Sequence, residues 1–183
     1  MPRVLIPLAA GFEELEAVTV IDLLRRASIE VTVAGLAAGP ITGSRNTVIV
    51  PDTTLDEALT RDYDMLVLPG GEPGATNLQN DARIAALIRK MQAANKGIGA
   101  ICAAPRVLAA AGVLDGKRAT CYSGAIDTAK FPRVQLAALA VVTDGNITTS
   151  RGPGTAMDFA LELVERLAGK AKREDVEARL LRS

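Results

Sequence analysis

Seven short apolar runs alternate with helix-like segments along this chain, and that alternation restricts the fold more than any other feature. The strand-like runs are Val4 to Leu8, Val31 to Ala34, Val48 to Val50, Met65 to Leu68, Ile98 to Ile101, Ala138 to Val142 and Ile147 to Ser150. Helical patterns lie between them at Glu13 to Arg26, Leu55 to Thr60, Asp81 to Ala94, Ala103 to Ala111 and Thr155 to Leu167, with a short charged amphipathic helix expected at Arg173 to Leu181. Strands that are apolar nearly throughout fit a sheet covered on both faces, and helices between them give parallel neighbours. The chain therefore reads as α/β: a doubly wound, mostly parallel sheet with helices on both faces. Its 183 residues suit one domain spanning 1–183.

Local signals set the boundaries. Asn80-Asp81 caps the third helix, Gly112 follows the fourth, and Gly116 and Gly145 punctuate turns. The pattern at Thr155 to Leu167 places Ala156, Phe159, Ala160, Leu163 and Leu167 on one face. No repeat, linker or low-complexity tract interrupts the chain. The first apolar run is too short for a signal peptide or a membrane span, so it reads as a strand, and no membrane partner is expected.

In a parallel sheet the strands end on one side, and ligands bind in the crevice outside those carboxyl ends. Four unusual segments fall there: Gly11 to Glu16, Pro69 to Ala75, the turn at Cys102, and Ser150 to Thr155. Cys102 lies between a strand-like and a helix-like stretch, with Ala100 and Ala104 two positions to either side. A nucleophile elbow has that layout, a sharp strand-to-helix turn with small neighbours, although here both elbow glycines are alanine. A thiol at a helix N-terminus is expected to ionise more easily than an ordinary one. The alternative is a buried cysteine acting as a small hydrophobe.

The remaining candidates also carry two readings each. Gly70-Gly71 lacks the pattern of a nucleotide loop; it is either a plain turn or, with the amides at the start of the Cys102 helix, an oxyanion hole. Glu13, Glu14 and Glu16 suit a helix N-terminus, yet Glu16 shares a helical row with Val20, Leu23 and Ala27 and so points inward. A buried carboxyl tends to keep its proton and can then donate a hydrogen bond to a thiolate. Arg45 and Arg151 are anion-binding candidates or solvated surface charges. Cys121, in an apparent strand Ala119 to Ser123, reads as a packed core thiol.

Composition removes several function classes. The chain has no histidine, so it cannot build a Cys/His dyad, a Ser/His/Asp triad or a histidine metal site. Lys plus Arg and Asp plus Glu balance at 21 each and aromatics are 3%, which argues against a dedicated nucleic-acid surface. Two cysteines are too few for a disulfide framework and suggest a reducing compartment, the cytoplasm by default. A regulatory Cys102–Cys121 disulfide is a minor alternative. No cofactor and no metal are assigned.

Five runs in order, Gly11 to Ala17, Val31 to Leu36, Leu68 to Gly71, Ala100 to Pro105 and Thr149 to Thr155, make nearly the whole chain resemble the ThiJ/PfpI superfamily, in the branch of the Parkinson disease protein 7 homologues and YajL-like proteins. The resemblance implies a flavodoxin-like fold, a homodimer, Cys102 as the reactive elbow cysteine and Glu16 as its protonated partner. It also implies oxyanion donors at Gly70-Gly71 and Ala103, and Arg45 reaching the neighbouring subunit's pocket. Tyr122 stands where many relatives carry histidine, a departure shared with YajL-like members, and any imidazole proton shuttle is thereby put in doubt. Two functions are implied. One is a cofactor-independent glyoxalase or deglycase acting on methylglyoxal-type dicarbonyls or glycated protein and nucleotide groups. The other is a redox sensor or redox-regulated chaperone signalled by oxidation of Cys102.

Overall fold

The computed structural model describes residues 1–182. In chain order the elements are β1 (Arg3–Leu8), α1 (Glu14–Arg26), β2 (Glu30–Gly35), β3 (Ile41–Thr42), β4 (Val48–Ile49), β5 (Thr53–Thr54), α2 (Leu55–Ala58), β6 (Met65–Leu68), α3 (Gly74–Asn80), α4 (Ala82–Ala93), β7 (Gly97–Ile101), α5 (Pro105–Ala110), β8 (Arg118–Ala119), β9 (Gln135–Leu136), β10 (Val141–Asp144), β11 (Ile147–Ser150), α6 (Ala156–Ala168) and α7 (Lys170–Ala178). Seven strands form one sheet in the order β10-β11-β7-β6-β1-β2-β5. Every pairing in it is parallel except the edge hairpin β10–β11. The flavodoxin-like, mostly parallel α/β fold is thus what forms.

Alternating side chains of the central strands feed two separate cores. Val4, Ile6 and Leu8 of β1 face α1 and α6, where Phe12, Val20, Leu24, Phe159 and Leu163 are buried. Leu5 of the same strand faces the other side, with Leu55, Leu78, Ile84, Ile88 and Leu108 from α2 to α5. A strand sandwiched in this way can be apolar at every position, which is the origin of the continuous runs. On α6 the predicted row Ala156, Phe159, Ala160 and Leu163 is buried, and Leu167 packs at its margin.

Several expected boundaries move. Val48 to Val50 does not join the main sheet: β4 pairs with β3 as a separate antiparallel flap, and the sheet edge is taken by β5, two threonines without an apolar signal. Ala138 to Val142 becomes β10 starting at Val141, and Cys121 lies beyond β8, outside any strand. Helix α3, with only Gly74, Ala75 and Leu78 buried, is not expected from the apolar periodicity. The first helix begins at Glu14 with Glu13 as its N-cap, and the Glu13 carboxylate accepts the Glu16 N–H at 2.8 Å. Among the described residues no helix is long and apolar enough to cross a membrane.

Candidate active site around Cys102

Three carboxyl-end loops converge at Cys102. The turn after β7 holds Cys102 at φ 64°, the left-handed region that few side-chain-bearing residues enter, and its N–H donates to Ser150 O at 3.0 Å. The strained turn aims the thiol away from the strand, as an elbow requires. Its own helix does not begin there. Pro105 takes the first helical position of α5, so the sulfur lies three residues ahead of a helix of six residues rather than on its first turn. Instead of a long dipole, the thiol has the Ala103 and Gly71 backbone N–H groups, which favour its ionised form.

The carboxyl of Glu16 comes from the inward face of α1 and is fully buried. Its Oε2 accepts the Gly70 N–H at 2.8 Å, while Oε1 has no hydrogen-bond partner. The Cys102 thiol lies beside this carboxyl and favours its charged form. Gly70 is what permits this meeting: a Cβ there would stand 2.7 Å from Cys102 Cβ and 2.7 Å from Glu16 Oε2. Gly71 has a second constraint, φ of 90° with a Cβ position 2.4 Å from Glu13 N. Gly70→Ala is therefore expected to lower stability by roughly 1–3 kcal/mol and to part the thiol from the carboxyl. Chemical denaturation together with the alkylation rate of Cys102 checks both effects.

The electrostatics of the pair depart from the sequence expectation of an easily ionised thiol. Burial raises the Glu16 pKa to about 7, against the Cys102 thiol and the Gly70 amide, which lower it. Burial first, and then the charge and hydrogen bond of Glu16, push the Cys102 thiol up to about 12, against the pull of the Ala103 and Gly71 amides. Two acids facing each other in one buried pocket carry a single negative charge between those values. The lower of the two belongs to Glu16, so that charge rests on the carboxylate and Cys102 keeps its proton. Nucleophilic sulfur then requires that its proton pass to the neighbouring Glu16 carboxylate, and owes nothing to a helix dipole.

The other candidates fall in different places. Glu14, unlike its neighbours, reaches across to the flap: its Oε1 accepts Arg45 N–H at 2.6 Å and Thr47 N–H at 3.3 Å, and Ser44 Oγ donates to its Oε2 at 3.2 Å. Desolvation, the largest single cause, raises its pKa, and these donors with its own amide together outweigh it and lower the carboxyl. Arg45 is exposed at the flap tip, its guanidinium folded onto Ser44 O, and is not brought to Cys102 within one chain. Tyr122 is on the rim: its N–H donates to Cys102 O at 2.8 Å, and Gly152 separates its ring from the sulfur, a Cβ there standing 3.6 Å from Tyr122 Cδ2 and 4.0 Å from Sγ. A cavity of about 310 Å³ runs beside Tyr122 to Arg151. A roomier one of about 540 Å³, lined by Ala9, Ala10, Leu36 to Thr42 and Asn77, holds none of these reactive groups.

Cys121 is half-buried and packs with the core opposite to that of Cys102. Both thiols are free, and the Ile126 and Ala125 amides face that of Cys121. Among the described residues no group of three or more histidine, cysteine or acidic side chains is placed to hold a metal ion.

The family model of the DJ-1/PfpI family matches residues 2–166. The chain belongs to the DJ-1/PfpI family. Protein dj-1beta of Drosophila melanogaster is 43% identical over 178 residues, covering 97% of this chain and 95% of that protein. The crystal structure of Drosophila melanogaster DJ-1beta superposes with a TM-score of 0.94 at 41% identity, over 100% of this chain and 98% of that one. A Caenorhabditis elegans relative, Glutathione-independent glyoxalase DJR-1.2, is 35% identical over 160 residues, 87% of this chain and 85% of that protein.

Proposed function

We propose that this DJ-1/PfpI protein is a cysteine-dependent enzyme of carbonyl stress that converts methylglyoxal-type dicarbonyls to hydroxy acids without a cofactor. The observation that carries the reading is the buried pair itself: a sulfur facing two amide N–H groups and a carboxyl with one orphaned oxygen. The glyoxalase named among the relatives supports the substrate class.

The chemistry follows from those groups. Sulfur adds to the aldehyde carbon, a new C–S bond forms, and the carbonyl oxygen takes the charge as the Gly71 and Ala103 amides stabilise it. Protonation gives a hemithioacetal. Glu16, as carboxylate, removes the hydrogen of that carbon, and the resulting enediol takes a proton back on the neighbouring carbon. The former aldehyde carbon is thereby oxidised and its neighbour reduced, so no external oxidant is needed. Water then cleaves the thioester, releasing the hydroxy acid and the thiol. Gly70 supports this by holding Glu16 against the sulfur, and Tyr122 with Arg151 borders the entrance.

The expected result is lactate formed from methylglyoxal by the purified chain with glutathione absent, one lactate per dicarbonyl consumed. Consumption without lactate, or a strict need for added thiol, would overturn the reading. Activity on glycated protein or nucleotide groups is a separate arm of the same assay.

A homodimer is part of the proposal. Leu15 and Val18 on α1 and Val48 and Val50 of the flap are exposed, Glu14 hydrogen-bonds the flap to that helix, and these apolar side chains are the surface we assign to the contact. Burying it in a two-fold contact would carry the exposed Arg45 toward a second subunit. Light scattering is expected to give twice the chain mass, with Val48→Glu reducing it to one.

A further inference from the structure

Arg106 occupies the second position of α5, where a cation meets the positive end of the peptide dipoles, so helix formation offers no reason for it. Its side chain instead crosses to the loop after β6. Nη1 lies 2.6 Å from Glu72 Oε1, Nη2 donates to Thr76 Oγ1 at 2.6 Å, and the Thr76 hydroxyl donates to Glu72 Oε2 at 2.9 Å. The three side chains close a ring, and the planar guanidinium fork fixes its orientation as well as its charge.

What the ring joins gives it meaning. Glu72 directly follows Gly71, and Arg106 is three residues beyond Ala103; those two residues supply the amides that face Cys102 Sγ. The Gly71 loop is anchored to the α1 side through Glu13 N–H, which donates to Gly70 O at 3.0 Å, and through the Glu16 carboxyl. Toward α5, the Arg106 ring ties it down. We propose that Arg106, with Glu72 and Thr76, is a positioning device that sets the spacing of the Gly71 and Ala103 amides and so holds the sulfur for attack. The inference rests on Cys102 being the nucleophile. An ion pair as open as this one, with Arg106 a quarter and Glu72 a half exposed, adds little to stability, which separates positioning from folding.

The test uses the full chain with Arg106→Ala, Arg106→Lys and Glu72→Gln. For each, thiolate absorbance is titrated, thermal melting is followed, and kcat and KM for methylglyoxal are measured. Arg106→Ala is expected to melt within about 3 °C of the parent. Its thiolate midpoint should rise by about half a pH unit as the Gly71 amide drifts from the sulfur. Its kcat should fall about tenfold with KM unchanged. Lysine keeps the charge on Glu72 but loses the second donor to Thr76, and should recover part of both. If Arg106→Ala fails to fold, Glu72→Gln reads the same midpoint. A parental midpoint in the folded variants, or kcat lost only in step with the folded fraction, would overturn the proposal. Thiolate titration needs no substrate, so absent dicarbonyl turnover in the parent would sink the functional reading while the sulfur still reports on the ring.

Discussion

Cys102→Ser is expected to reduce dicarbonyl turnover by at least about 10³-fold while the chain keeps its fold. Serine fits the same backbone, since φ of 64° is a property of the turn and Ser150 O still accepts the residue's N–H. The Gly71 and Ala103 amides also remain. What disappears is acidity. A hydroxyl needs a strong general base to become a nucleophile, and enzymes that use serine usually supply histidine, of which this chain has none. Glu16, with its pKa raised to about 7, is the available base, and it is far too weak for an alcohol. Lactate formation, with circular dichroism as the control for folding, decides the matter. Turnover at the parental rate in a folded Cys102→Ser chain would remove sulfur from the mechanism altogether.

The parts of this fold that the sequence announced are those with a periodic signal. Val4 to Leu8 and Met65 to Leu68 are read almost to the residue because both faces of a central strand are buried, and Glu16 is found because it stands on an apolar row of α1. Elements built from polar or small residues leave no such trace. Helix α3, Gly-Ala-Thr-Asn-Leu-Gln-Asn, has two core residues, Ala75 and Leu78, and β5 is a pair of threonines. The flap looked like a sheet strand because Val48 to Val50 is apolar, and those valines are instead left open at the surface. Pro105 was a usable signal that α5 starts after Cys102 and not at it. The two raised pKa values and the Arg106 ring depend on which loops meet, and a contact between residues 34 or 54 positions apart has no local signature.

Glu16→Gln is expected to make the protein more stable and less active. The folded carboxyl keeps its proton up to about pH 7, whereas in the unfolded chain it titrates at its ordinary 4.5. Between those values the folded state binds more protons, so stability falls as pH rises through that window and stays reduced above it. A shift of that size corresponds to about 3 kcal/mol at pH 8. Glutamine carries no charge to desolvate, and its carbonyl can still accept the Gly70 N–H. The variant should therefore exceed the parent by about 3 kcal/mol at pH 8, or about 6–12 °C in melting temperature for a chain of this length, with the advantage gone below pH 4.5. Turnover should move the other way, by about 10²–10⁴-fold, because the amide neither removes the hemithioacetal hydrogen nor returns it. Urea unfolding at several pH values beside lactate assays tests both halves. A stability gain that is the same at pH 4 and pH 8 would show that the buried charge was not its cause. A gain confined to the alkaline side, with activity lost, means that the chain bears an unfavourable carboxylate beside its sulfur because the reaction uses it.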